Sequence, residues 1–218
     1  MPRRFLLGLE FAALFVALPL LLWQTALRAT ARMPVLPVLW LAAALATVWL
    51  VRKRGWGWKQ FFGFAGVTRG DWTRLVFRAV LGALLLAALL NWLAPRGLFL
   101  FPLLHTGRWL IVMAAYPLLS VLPQGIVYRA LFFERYAPLF GRFAFAAAAA
   151  VFSLAHIVFN NPHALALTLA GGVLFTWQHN TKGMMFANLE HALLGNLAFT
   201  IGWGIFLHGG TLALRGGG

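Results

Sequence analysis

An arginine, several amides and a histidine lie between Ser120 and Asn161, inside segments otherwise built from apolar residues. A second polar group, Asn188, Glu190, His191 and Asn196, interrupts a later apolar run. A charge or a histidine at membrane depth is costly, so each marks a candidate functional position. His156 and His191 fall on separate apolar segments with Gln124, Asn160, Asn188 and Asn196 in the same runs. Two neutral imidazoles in a bundle interior are what a metal centre needs, and a hydrolytic centre also needs a carboxylate. The same residues serve equally well as hydrogen bonds between helices. His105, His163, His179 and His208 sit at loops or ends of runs, where a structural role is expected.

Helical spacing sorts these residues into faces. Phe152, His156 and Asn160 follow at steps of four and form one stripe. Asn188 and His191 are three apart and share a face, whereas Asn196, five beyond His191, points elsewhere. Gln124 and Arg129 are also five apart and are not stacked. Glu190 is the acidic residue that lies well inside an apolar run beside a histidine. Pairing with Arg129 is its expected role, ahead of serving as the carboxylate of a hydrolytic centre.

The elements that carry these residues are membrane helices. The 218 residues are 62% hydrophobic and 10% charged, against roughly 45–50% and about 25% in soluble chains. The expected fold is an all-α, polytopic bundle of about seven spans occupying residues 1–218 as one unit: 5–27, 33–51, 73–93, 109–137, 142–160, 163–179 and 183–207. The first run is too long for a signal peptide despite Ala29–Thr30–Ala31 after it, so it reads as a retained span. Pro34 and Pro37 open the second. Residues 52–72, mixing Trp, Phe and Lys/Arg, suit the interface. Pro117 and Pro123 predict a kink or break just before Gln124. Ala144 and Ala146–Ala150, with Gly171–Gly172, give the fifth and sixth spans small-residue surfaces for close packing.

The net charge of +14 comes from 18 basic and four acidic residues. Lysines and arginines divide as thirteen on the segments that are inside if the N-terminus is cytoplasmic and five on the others, among them Arg28, Arg32 and Arg215. The bias orients the chain N-terminus inward and accounts for the charge through the bilayer, with no nucleic-acid partner. Zero cysteines exclude disulfides, thiolate ligands and a cysteine nucleophile.

Over residues 117–207 the pattern resembles the CPBP family of intramembrane metalloproteases, which includes CAAX prenyl protease-like and bacteriocin-immunity-type members. That family carries Glu-Glu-x-x-x-Arg, Phe-x-x-x-His and His-x-x-x-Asn/Asp on separate spans. Here the second is intact as Phe152–His156; the first survives as Gln124–Gly125 followed by Arg129; the third starts at His191 but has Gly195 in its last place, with Asn196 one later. The resemblance implies catalytic roles for Gln124, Arg129, His156 and His191 and a divalent metal, zinc, on His156 and His191. It also implies a membrane-bound or lipidated peptide substrate at a bacterial inner membrane, while Asn160, Asn188 and Asn196 are the supporting polar residues that the segments themselves offer. The departures bear on activity, because Gln has no basic carboxylate and Gly has no side chain. Two functions are therefore expected: an intramembrane endopeptidase, or an inactive relative acting as a binding, immunity or assembly factor. A small transporter component ranks third, since no inverted repeat is visible.

Overall fold

A computed structural model describes residues 2–28, 35–64 and 66–207. Pro34, Ala29–Thr30–Ala31, Arg32, His208 and Arg215, which figured in the expectations above, lie outside the described residues. Among the described residues all regular secondary structure is helical. Its helices are α1 (residues 2–28, with π-helical turns at Ala13–Ala17), α2 (Val35–Arg54), the short α3 (Trp58–Phe62), α4 (Arg69–Leu93), α5 (Leu100–Leu104) and α6 (residues 106–140). They continue with α7 (residues 144–159), α8 (Pro162–Lys182), α9 (Met184–Ile201) and α10 (Gly204–Leu207). Four helical runs are long and apolar enough to cross a membrane: Arg3–Ala26, Val35–Arg54, Arg69–Leu93 and Thr106–Phe159. The chain is a membrane protein by this measure.

Of the kink or break expected before Gln124, a break is absent, since helix continues through the prolines, and the reason is local. A proline removes the hydrogen bond to the carbonyl four residues back and crowds it. Pro117 and Pro123 thus free the carbonyls of Met113 and Leu119. Wide π-helical turns at Pro117–Val121 and Ile126–Tyr136 take up the extra backbone without ending α6. Two side chains from other helices meet the freed groups: Asn196 Nδ2 donates to Met113 O at 3.1 Å and Trp40 Nε1 donates to Leu119 O at 3.0 Å.

α7 folds back along α6 after Gly141, whose φ of 52° admits glycine most easily. α7, α8, α9 and α4 then pack in series. The small-residue expectation holds at Gly172, where an added Cβ would lie 3.0 Å from Ala149 O; at Gly171 the nearest atoms belong to Phe175 of its own helix, and the residue lines the central cavity. Ser153 Oγ donates to Leu165 O across the same seam at 2.8 Å. α9 stops at Ile201 and does not run to 207. Gly202 adopts a φ of 125°, and a Cβ there would collide with Gly97 O.

α1 is fixed to α6 by aromatic packing, which matters in lipid because apolar area alone drives no association. Phe11 and Phe15 stand against Phe140 and Tyr136 with centroids 4.9 and 5.3 Å apart. At the end of that seam Glu10 accepts from Arg135 Nε at 2.7 Å and from Tyr136 Oη at 2.6 Å. Glu10 thereby clamps α1 to α6. In the segment after α2, Trp58, Phe64 and Trp72 are exposed, as an interfacial stretch requires.

Candidate functional site

Tyr116, Ser120, Gln124 and Tyr128 follow one another on α6 at steps of four. In a regular helix each such step drifts about 40°. The π turns rotate less per residue, and all four side chains remain on one cavity. This cavity, of about 780 Å³, lies between α1, α2, α4, α6, α7, α8 and α9. Its wall is mainly Leu, Val, Phe and Ala, with Thr168, His156 and His191 adding to the four polar residues of α6. No charged side chain is in that wall.

Arg129 is 2% exposed and lies beside the cavity wall. Its Nη2 donates to Asn188 Oδ1 at 3.1 Å and to His191 Nδ1 at 3.3 Å. The guanidinium lies against the adjoining rings of Phe152 and Phe175, with centroids 5.5 and 5.7 Å away. These rings and hydrogen bonds replace water around the cation. The expected common face of Asn188 and His191 is thus present.

The hydrogen bonds fix the tautomers. Arginine only donates, so His191 Nδ1 is an acceptor and the ring proton is on Nε2. Nε2 then donates to Tyr116 Oη at 3.0 Å. Phe175 stacks on the ring at a centroid distance of 4.4 Å. His156 is the converse case. Its Nδ1 donates to Phe152 O at 2.7 Å, which leaves Nε2 as the acceptor, on the side of the ring away from its own helix.

Two backbone positions explain how this arrangement fits. A Cβ on Gly125 would collide with the carboxamide of Asn188, and a Cβ on Gly195 would collide with the Tyr116 ring and hydroxyl. Asn188 and Tyr116 thus occupy the space that side chains at 125 and 195 would need. Those are the two places where the chain leaves the resembled pattern by carrying glycine. Both invading side chains bond directly to Arg129 or His191.

Gln124 is 9% exposed. Its Nε2 donates to Ser120 Oγ at 2.8 Å, while Oε1 has no partner among the described residues. Nε of Arg129 and Nδ2 of Asn188 are likewise unpaired.

Two of the side-chain expectations need correction. Glu190 does not pair with Arg129. Buried at 1% exposure, it takes both Nε and Nη2 of Arg78 on α4, and Arg78 also lies over Trp177. Neighbouring residues on a helix diverge by about 100°, so with His191 turned to Arg129, Glu190 faces α4. It is therefore no stand-in base. Asn160 leaves the Phe152–His156 stripe because residues Ala155–Phe159 tighten to a 3₁₀ helix and Asn160 turns left-handed at φ 49°. It accepts from Trp23 Nε1 at 3.2 Å. Asn196 points away from His191 as expected, and its partner is the carbonyl freed by Pro117.

The donors do not fit a zinc ion on His156 and His191. Protein zinc sites use three or four ligand atoms with free lone pairs directed at one point. His191 turns one nitrogen to a cation and carries its proton on the other. No group of three His, Cys, Asp or Glu converges among the described residues. Tyr116, Ser120, Phe175 and Arg78 were missed in the sequence; the four-residue spacing of Tyr116, Ser120, Gln124 and Tyr128 was the available signal for the first two.

Comparison with protein families, curated proteins and solved structures found no match.

Proposed function

We propose that this chain is a multi-pass protein of the bacterial cytoplasmic membrane that binds membrane-bound or lipidated peptide segments in its central cavity without cleaving them. In form it is a catalytically silent counterpart of the CPBP endopeptidases, acting as an immunity, chaperone or assembly factor. The reading includes seven passes with the N-terminus inside, supported by the distribution of lysine and arginine.

One observation carries the proposal: Asn188 and Tyr116 fill the spaces beside Gly125 and Gly195 and bond to Arg129 and His191. The polar centre is closed upon itself, with no carboxylate to activate water. Loss of a general base alone typically lowers a rate about 10²–10⁴-fold. What the centre retains is a shaped apolar cavity with polar anchors, the usual makeup of a binding site. The test is photo-crosslinking of diazirine-bearing C-terminal peptides, lipidated and bare, to the protein in nanodiscs. Crosslinks on cavity residues such as Leu119 and Leu174 are expected. Crosslinks confined to bilayer-facing residues such as Leu45 and Phe77, or none, would overturn the binding role.

A further inference from the structure

We propose that the basic segment joining α2 to α4 is a docking surface for anionic phospholipid headgroups, with Arg52, Lys53, Lys59 and Arg69 as the residues that meet the phosphate. None of residues 52–74 lines the central cavity, and the surface is separate from the peptide-binding role.

The segment is built as a fixed ledge. Gly55, at φ 66°, ends α2, and Trp56 N donates back to Leu50 O at 3.2 Å. Trp56 and Phe61 pack edge to face with centroids 5.1 Å apart, and Phe61 is buried in the core that α2 shares with α6. That turns one side of α3 to the bundle and leaves Trp58 and Lys59 exposed. At the other end Lys182 Nζ donates to Gly66 O at 3.2 Å and pairs with Asp71 at 2.8 Å, while Thr68 caps α4. Phe64 and Trp72 lie together there, centroids 5.7 Å apart, and both are exposed. Exposed rings interleaved with cations set the ledge at headgroup depth, where lipid phosphates lie.

The charge on the ledge is uncompensated from within. The acidic side chains at this end of the bundle are already paired. Glu134 takes Arg54 at 2.9 Å and Trp56 Nε1 at 3.3 Å. Asp71 takes Lys182 and Arg74, and Glu10 takes Arg135, which itself lies against Trp49 of α2. Arg52, Lys53, Lys59 and Arg69 are exposed and have no carboxylate within salt-bridge distance among the described residues. Their complement is an external anion at the same depth. Phosphatidylcholine carries its phosphate beside a quaternary ammonium and has no net charge, whereas a phosphatidylglycerol-type headgroup presents the phosphate alone. A soluble polyanion would match the charge but give Trp58, 76% exposed, nothing apolar to enter.

The chain has no cysteine, so a single probe reads this surface. Residue 57 is exposed, and a Cβ added there meets nothing closer than 3.6 Å. The full chain carrying Gly57→Cys, labelled with nitrobenzoxadiazole, is placed in phosphatidylcholine nanodiscs. These hold a small fraction of nitroxide-labelled phosphatidylglycerol or phosphatidylcholine, identical in their chains and present in both leaflets. Phosphatidylglycerol should quench about fivefold more strongly, the value of one cation near an anionic surface. Salt at about 1 M should bring the ratio toward one, because the Debye length falls to about 3 Å. A probe at Leu103→Cys, exposed beyond the other end of α4, should show a much smaller ratio. The variant Arg52→Gln/Lys53→Gln/Lys59→Gln/Arg69→Gln should bring the ratio at 57 close to one. Quenching by labelled phosphatidylcholine should stay unchanged in that variant, which shows the ledge still folded at its depth. Equal quenching by the two lipids without these four changes would overturn the proposal, whatever the variant does. So would equal ratios at 57 and 103, or a preference that the variant retains. Displacement of labelled phosphatidylglycerol by a short DNA duplex would assign the surface to nucleic acid and overturn it as well.

Discussion

Glycine at 125 and 195 is the smallest difference between this chain and a hydrolytic pattern, and its effect is steric before it is chemical. At both positions the room left by the absent side chain is taken by a polar group from elsewhere, Asn188 or Tyr116. Gly125→Ala should therefore destabilise the protein by about 1–3 kcal/mol through overpacking, although alanine favours helix by nearly 1 kcal/mol. In Asn188→Ala the same substitution should cost little, because the obstructing carboxamide is gone. A thermal-unfolding double-mutant cycle in detergent checks this, and additive effects would show that the two residues do not compete for one space. Tyr116→Phe should lose about 1 kcal/mol, since His191 Nε2–H is left without its acceptor. Much of this level was hidden in the sequence. Spacing placed Asn188 beside His191, but which side chain would enter the space at Gly125 depends on the distance between α6 and α9. Glu190 shows the same limit: its helix face could be calculated, whereas Arg78 as its partner lies 112 residues away.

At the scale of helices, α6 decides the geometry. Two prolines that read as a break are absorbed by π turns and by two borrowed side chains, Asn196 and Trp40. Asn196→Leu should thus cost about 1 kcal/mol by leaving Met113 O unpaired. In a Pro117→Ala background, where residue 117 can donate to that carbonyl, the cost should shrink toward zero. Equal costs in both backgrounds would detach Asn196 from the proline. The ion pair between α4 and α9 behaves differently. Glu190→Leu should be destabilising by about 3–5 kcal/mol, because Arg78 is left half-buried and unpaired, while Arg78→Leu with Glu190→Leu should recover most of the loss. Helix positions were legible because long apolar runs are a strong signal. Proline chemistry misled because the sequence shows the lost hydrogen bond and not its replacement. The end of α9 also escaped, since Gly202 turns the chain against Gly97 through a contact between distant segments.

As a whole the molecule is a helical bundle around an apolar cavity, with Arg129 buried against Phe152 and Phe175 and Glu190 tied to Arg78. Absence of cysteine makes its topology directly measurable. With Lys53→Cys and Arg96→Cys, both at exposed positions, a membrane-impermeant thiol reagent applied to intact cells should label 96 and spare 53. The reverse pattern would invert the orientation drawn from the basic residues. Composition made the membrane class and the helical architecture plain. The cavity was not legible, because it arises where seven helices fail to fill space, a property of no single segment. The central claim, that the chain binds and does not hydrolyse, is tested most directly by peptide cleavage in lipid. Wild type is to be compared with His156→Ala and with the triple variant Gln124→Glu/Gly125→Glu/Asn188→Ala, in which the third change makes room for the second. Mass spectrometry of prenylated and bare C-terminal peptides should find them intact with wild type and His156→Ala, whether or not the triple variant gains cleavage. Cleavage by the wild type that His156→Ala abolishes would contradict the account and make His156 the base of a working hydrolase.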